Sequence, residues 1–320
     1  MRPSAVQETA PGSSRFAEDV AYYLSQSPRQ LPSHHLYGEL GSALFEAICR
    51  LPWYEITRAE QRLLERRARD ILSHVDPLST LVELGPGSGL KLATLLSARP
   101  VGVMTVHLVD VSGAALDAAG RVLASHADLV VVPHETTYEK GLAEVAAGAR
   151  APGRTLTVFL GSSIGNFDPP GADAFLWGIR GAMSKGDSLL LGADLVKPEA
   201  DLLLAYDDPL GVTAAFNKNL LVRANRELDA DFDLRGFAHR AIWNADASRI
   251  EMHLVSVQQQ RVCVPASELD ITFEAGETIW TESSYKYRAD EIAAMLERAG
   301  FVMIKQWSEG GFSLALAEAR

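Results

Sequence analysis

Two short stretches of the chain carry residues whose types and spacing suit chemistry. LVELGPGSG, Leu81 to Gly89, passes from an apolar run into Gly85, Gly87 and Gly89. Glycine permits the tight backbone of such a turn and lets a ligand approach the main chain. Free N–H groups at the start of a following helix attract an anion. Asp110 lies 21 residues beyond Gly89, at the end of the next apolar run, where a carboxylate can accept both hydroxyls of a ribose. The second stretch, TESSYKY from Thr281 to Tyr287, sets the carboxylate of Glu282 among several hydroxyls. By itself it fits a solvated strand end as well as a binding site.

These groups need elements to hold them. STLVELGPGSG predicts a strand and glycine loop, and LKLATLLSA the helix after it. MTVHLVDVS, DLVVVPHE, TLTVFLGSSIGNF and DSLLLGADLV predict four further strands, with helices over SGAALDAAGRVLASH and GADAFLWGIRGAM between them. Apolar strands that alternate with helices imply a doubly wound parallel sheet covered on both faces. The rhythm stops after Lys197. Helical segments follow, with Phe216, Leu220 and Ala224 on one face, then β-like pieces up to TESSYKY. The α/β pattern resumes with ADEIAAMLERAGFVMIKQWSE and GFSLALAEA. Upstream, Leu36, Leu40, Leu44 and Ile48 recur at a spacing of four, one face of a helix, and RAEQRLLERRARDILSHV predicts another. The expected fold is α/β: a Rossmann-like sheet domain over 61–196 and 287–320. A substrate-binding α+β lobe is built from 16–60 and an insertion at 197–286, after a disordered lead-in over 1–15. Ligands of such sheets bind at the carboxyl ends of the strands, so the insertion is expected to form a lid there.

Composition narrows the partners. The 320 residues carry a formal net charge of -11, which repels nucleic-acid backbones and anionic lipid. No apolar run approaches the roughly 20 residues that span a bilayer, and the N-terminus lacks an apolar signal core. A cytoplasmic protein is expected, with Cys49 and Cys263 as buried free thiols. The eight histidines form no HExxH and pair with no cysteine cluster, so no metal is expected.

The glycine loop admits two kinds of nucleotide-like ligand. A dinucleotide loop reads GxGxxG; here Leu90 stands where its third glycine belongs, the pattern is GxGxG, and Glu83 precedes it. This form resembles motif I of class I S-adenosylmethionine methyltransferases. LYGELGSALFEAI, LPWYEITRAE, FLGSSIGNF, LLLGADLVKP, AYDDPLGVTAAFNKN, NRELDADFD, RIEMHLVS and TESSYKY extend the likeness from about residue 20 to the end. Together they resemble the histidine-specific Nα-methyltransferases of ergothioneine biosynthesis. That resemblance implies a two-lobed monomer that converts L-histidine to its trimethylammonium betaine, hercynine, with three molecules of methyl donor.

The resemblance also implies residue roles. Tyr37, Tyr54, Asn166, Tyr206, Met252, Glu282 and Ser284 would form the histidine pocket, with Glu282 and Ser284 on the two ring nitrogens. Asn166 would accept a hydrogen bond from the α-amine, steadied by Tyr37, while Tyr54 and Tyr206 hold the carboxylate. Tyr37, Gly85, Gly87, Lys91, Asp110, Tyr138 and Gly161 would border the methyl donor. Where the family often has an acidic–aromatic pair near the adenine, this chain has Thr137 and Tyr138. Taken singly, Tyr37 and Tyr54 read first as core tyrosines and Met252 as core filler, while Asn166 also fits a turn and Lys91 an exposed helix lysine. The rival chemistries are Nα-methylation of another amino acid, such as a tryptophan derivative, and a nicotinamide-dependent oxidoreductase.

Overall fold

A strand made of Val, Leu and Ile on both sides is stable only if both faces are covered. In the computed structural model of the chain, which describes residues 11–99, 102–148 and 151–320, such strands build one large sheet. Its spatial order is Phe301–Glu309, Phe312–Ala319, Ser188–Asp194, Arg154–Phe159, Leu78–Leu84, Met104–Asp110, Leu129–Glu135. The five strands from Leu78 to Asp194 run parallel. The C-terminal hairpin adds two antiparallel strands, so the expected parallel sheet is in fact mixed at one edge. A two-residue turn at Gly310–Gly311, both with positive φ, closes the hairpin, and that brevity dictates the antiparallel sense. Ser188–Asp194 is buried at all seven positions.

Chain order reverses between Leu78–Leu84 and Arg154–Phe159. From the former the chain winds outward to Leu129–Glu135; from the latter it winds the other way. Helices such as Pro169–Ala182 and Ala289–Arg298 pack their apolar residues on the sheet, around Phe159, Phe175, Leu191 and Phe301. Helix Pro169–Ala182 starts at Asp168, whose carboxylate accepts the Gly171 N–H at 2.9 Å, the usual N-cap device.

Contacts within the chain define two units. One comprises residues 54–198, 246–248 and 284–320, and holds this sheet; the other comprises residues up to 53, 199–245 and 249–283. The second unit carries a sheet ordered Arg29–Gln30, Thr278–Tyr285, Arg249–Ser256, Phe237–Asn244, and a hairpin of Gln260–Val264 with Leu269–Phe273. Ser284 and Tyr285, at the end of Thr278–Tyr285, belong to the first unit. Helix Val212–Glu227 buries Phe216, Leu220 and Ala224 as its periodicity predicts.

Two expectations need correction. The spacing of Leu36, Leu40, Leu44 and Ile48 is not one helical stripe: a 3-10 turn, Ser33–Leu36, ends before helix Glu39–Cys49 begins. Leu40 is 45% exposed, and Gly41 is buried in its stead because a Cβ there would run into the Leu36 carbonyl. Neither thiol is in a disulfide among the described residues, and both are half-buried rather than buried. The lead-in expected over 1–15 lies, for residues 1–10, outside the described residues; helix Pro11–Leu24 follows. Among the described residues no helix is long and apolar enough to cross a membrane.

Candidate active site

At the reversal of strand order, two loops leave the carboxyl ends of neighbouring strands, the place where ligands of such sheets bind. The first is the glycine loop. Gly85, Gly87 and Gly89 all have positive φ, at 74°, 52° and 75°. Side chains at two of them would collide: a Cβ on Gly85 would stand 2.7 Å from the Tyr138 hydroxyl, and one on Gly89 2.7 Å from Ala119 Cα. At Gly87 no atom lies within 4 Å of a Cβ position. Gly87 therefore keeps backbone bare toward open space, where a ligand can approach it.

Carboxylates gather beneath this loop. Glu83, the residue before Leu84, is 2% exposed and its Oε2 has no hydrogen-bond partner among the described residues. Burial pushes its carboxyl up to about 8; Lys91 opposes the shift, and Glu60 and Asp110 add to it. Asp110 ends its strand as expected. Burial raises its carboxyl above the ordinary range against the opposing N–H of Ser112, which donates at 2.9 Å. Tyr138 opens helix Tyr138–Ala147 beside Gly85, against Phe159 and Phe175; burial raises its phenol well above the ordinary value. Thr137 is the N-cap of that helix, so the missing acid is replaced by a capping hydroxyl. A bare glycine on the loop and an Asp at the neighbouring strand end fit a ligand that lies against the loop backbone and carries a ribose.

The second loop follows Arg154–Phe159. Gly161 has φ 76°, and its N–H donates to both oxygens of Glu60, at 2.8 and 3.1 Å. Lys91 Nζ lies 2.5 Å from the same carboxylate. Glu60, fully buried on helix Glu55–Ser73, therefore ties three elements together. Tyr54 is the N-cap residue of that helix and is buried. The loop continues through Ser162, in the left-handed region, to the 3-10 turn Ser163–Asn166. Asn166 ends this turn, several residues past the strand, with its side chain exposed and without a hydrogen bond among the described residues.

The end of TESSYKY, Tyr285 to Tyr287, lies beside that turn. A Cβ on Gly165 would stand 2.6 Å from the Tyr285 carbonyl, and the Tyr287 hydroxyl donates to the Ile164 carbonyl at 3.2 Å. Tyr287 N–H donates to the Asp194 carbonyl at 3.0 Å, which fixes the stretch to the carboxyl end of Ser188–Asp194. Ser284 is buried, and Lys286 Nζ donates to its Oγ at 2.9 Å. Thus Gly85, Gly87, Lys91, Asp110, Tyr138, Gly161, Tyr54, Asn166 and Ser284 all fall in the sheet unit, around the ends of the four adjacent strands Ser188–Asp194, Arg154–Phe159, Leu78–Leu84 and Met104–Asp110.

Tyr37, Tyr206, Met252 and Glu282 fall in the other unit. Tyr37 follows the 3-10 turn and is 39% exposed, its ring edge-on to Phe45 and Phe216. Tyr206 ends helix Glu199–Tyr206 and is buried. Its carbonyl can only accept, so His239 Nε2 is the donor at 2.8 Å and His239 Nδ1 accepts from Asn217 Nδ2 at 2.9 Å. Burial lowers the His239 pKa and keeps the ring neutral, as this bonding requires. The YDDPLGV turn after Tyr206 is held by Asp208, whose oxygens accept from the N–H groups of Leu210, Val212 and Thr213. Met252, buried in Arg249–Ser256, accepts from Thr281 Oγ1 through its carbonyl. Glu282 is 9% exposed, far from the solvated strand end of the plain sequence reading.

Sequence reasoning passes over Glu60, Asp194, Asp208 and Lys286. Glu60 leaves a signal: it stands between Ile56 and Leu63 on the buried stripe of an otherwise charged helix. The nearest approach to a metal-ligand group among the described residues is Asp19 with His34 and His35. There His35 Nε2 already pairs with Asp19 at 2.8 Å, and Arg223 donates to the His35 carbonyl.

Comparison with known proteins adds identity to this geometry. The family described as "Histidine-specific methyltransferase, SAM-dependent" matches residues 16–319. A histidine N-alpha-methyltransferase of Mycobacterium tuberculosis is 43% identical over 304 residues, 93% of each chain. One from Mycolicibacterium smegmatis is 41% identical over the same shares. An L-tryptophan methyltransferase of Psilocybe serbica is 29% identical, over 88% of this chain and 85% of its own.

Proposed function

The chain belongs to the SAM-dependent, histidine-specific methyltransferase family, and from that premise we propose that it trimethylates the α-amino group of L-histidine to hercynine, an early step toward ergothioneine. The observation that carries this is the family match over residues 16–319, which takes in both the glycine loop and TESSYKY. It sets the nicotinamide chemistry aside. We place the enzyme in the cytoplasm as a monomer.

When bound, S-adenosylmethionine supplies a methyl carbon on a sulfonium, whose C–S bond breaks as the amine lone pair forms the new N–C bond. An ammonium has no lone pair, so the protein must hold the amine deprotonated and aimed. Positioning of this kind can lower a barrier by about 7–11 kcal/mol. The sulfonium leaves readily, so the reaction calls for no metal. Asn166, with an exposed carboxamide, accepts from the amine N–H and turns its lone pair toward the methyl. Its oxygen is neutral and tolerates the loss of N–H groups as methyls accumulate. Tyr37 steadies the same nitrogen and borders the donor. Tyr54 and Tyr206 hold the substrate carboxylate, Glu282 and Ser284 the two ring nitrogens, and Met252 forms a wall. On the donor side, Gly87 offers bare backbone between the turns at Gly85 and Gly161, which border the donor, and Asp110 takes the ribose. Tyr138 borders the adenine, and Lys91, oriented by Glu60, meets the methionine carboxylate.

The test is mass spectrometry after incubation with S-adenosylmethionine and each amino acid in turn. Three added methyls on histidine alone are expected. Methylation of tryptophan or its derivatives, with histidine untouched, would replace this reading by the activity that the Psilocybe relative's name carries.

A further inference from the structure

Asp19, His34 and His35 carry donor atoms that methyl transfer does not use. Among the described residues they are the one group of three ligand-type side chains whose donor atoms all lie within 4.8 Å of one another. Local structure makes the group. Asp19 sits on helix Pro11–Leu24. Consecutive side chains of an extended strand point to opposite faces, but His34 and His35 lie in the 3-10 turn Ser33–Leu36, and their ring centroids are 3.9 Å apart. Both Nε2 atoms converge on one oxygen: Asp19 Oδ2 is 2.8 Å from that of His35 and 3.5 Å from that of His34. The turn is anchored from behind. Arg223 donates to the His35 carbonyl at 2.6 Å, and the His35 ring packs on Phe16 with centroids 4.5 Å apart.

Hydrogen bonding accounts for only half of this. The His35 contact is an ordinary bond, whereas 3.5 Å is at the limit of one. A four-coordinate ion with bonds of about 2.0–2.1 Å to nitrogen and oxygen sets its ligand atoms about 3.3 Å apart, a value that the two separations bracket. Burial holds the pKa of both rings below the ordinary value against the pull of Asp19, so both are uncharged near neutral pH, the form that binds metal. We propose that Asp19, His34 and His35 bind a divalent transition-metal ion of the zinc type, which pins helix Pro11–Leu24 to the turn that leads into Tyr37.

Two ring nitrogens and one oxygen suit Zn²⁺; Ca²⁺ and Mg²⁺ want more oxygens than one carboxylate supplies. In binding, the ion takes the place of the proton on each Nε2, and that proton moves to Nδ1 of the same ring by way of solvent. His35 is buried, while the His34 side chain is 57% exposed. The His34 side is therefore the entry, and water completes the coordination there. Arg15 and Arg223 face the histidines and oppose a dication, so the expected affinity is below that of a closed four-ligand site. Asp19 and His34 stand 15 residues apart on two elements, and no motif spacing announces the group.

The test uses the full chain stripped of metal by a chelator. Zn²⁺ is titrated by calorimetry and by melting temperature, and Co²⁺ by its visible absorption, which reports coordination geometry. One Zn²⁺ per chain is expected, with a Kd of about 1–10 µM near neutral pH. At about tenfold excess over Kd it should raise the melting temperature by about 2–3 °C, while Ca²⁺ and Mg²⁺ leave it unchanged. His34→Ala, at an exposed position, is expected to weaken Zn²⁺ at least about tenfold and to abolish the Co²⁺ absorption. Asp19→Asn keeps an oxygen for the His35 N–H but removes the charge, and carries the same expectation should His34→Ala disturb the turn. Zn²⁺ binding to both variants with the parent's affinity would place the ion on other side chains and overturn the inference. A parent Kd above about 100 µM, or an equal response to Ca²⁺, would overturn it too.

Discussion

Lys91 Nζ and the Glu60 carboxylate stand 2.5 Å apart, with the acid completely buried and the lysine at the start of the helix after the glycine loop. The pair joins the two loops at the reversal of strand order, because Glu60 also accepts from Gly161 N–H. Lys91→Met strands a buried carboxylate and is expected to cost about 3 kcal/mol. Glu60→Gln keeps an acceptor for Gly161 and should cost about 1–2 kcal/mol. The double variant should lose less than the sum. Chemical denaturation checks this; strict additivity would show that the pairing contributes nothing.

Glu83 makes stability depend on pH in an unusual direction. Its carboxyl is raised from 4.5 to about 8 in the fold, chiefly by burial. Between those values the native protein holds a proton that the unfolded chain has released. The contribution is fully present below about 4.5 and is lost as pH rises toward about 8. Glu83→Gln should thus gain stability relative to the parent as pH rises from 5 to 8. Melting temperatures over that range read the difference, and parallel curves would refute the shift.

His35 acts in the opposite sense. Burial, with His34 beside it, pushes its pKa down to about 4 although Asp19 opposes the change; Arg223 also faces it and adds to the depression. The unfolded chain takes up a proton near 6.5 that the native ring refuses. Stability present above about 6.5 is lost as pH falls toward about 4. His35→Gln should blunt the loss in acid denaturation of the ligand-free protein; an unchanged acid limb would exclude His35 as its source.

Asp208→Ala leaves the N–H groups of Leu210, Val212 and Thr213 without their acceptor. The expected cost is about 1–3 kcal/mol, with Asp208→Asn intermediate. Since Tyr206 stands just before this turn, the histidine KM should rise as well. Thermal unfolding and kinetics on one preparation check both, and a melting temperature equal to the parent's would show that water replaces the carboxylate.

Asn166→Ala should lower kcat by about 10–100-fold while raising the histidine KM by less than about threefold, because the carboxamide aims the amine rather than anchoring the substrate. A raised KM with unchanged kcat would remove Asn166 from the methyl-transfer step.

Much of the fold was written in local pattern. The glycine loop was legible because only glycine suits three positive-φ positions in five residues, and Asp110 because a carboxylate ends a buried strand. The parallel strands were legible as apolar runs. The C-terminal hairpin was not distinguished from a parallel pair, since apolar content reports burial and not direction. Leu40 misled because spacing cannot reveal that Tyr37 and Gly38 break the helix. Strand Phe237–Asn244 escaped notice because its half-buried residues alternate too weakly to register.

What the sequence by itself determined is the chemistry on offer: a bare-backbone turn, a strand-end carboxylate, and a Glu and Ser two residues apart, hence on one face of a strand. What only the tertiary structure decided is which charges meet. Glu60 finds Lys91 across 31 positions and Asp194 finds Lys286 across 92, and no local pattern encodes either pair. A charge can stay buried only where a distant partner compensates it, and the partner is chosen by the packing of the whole domain.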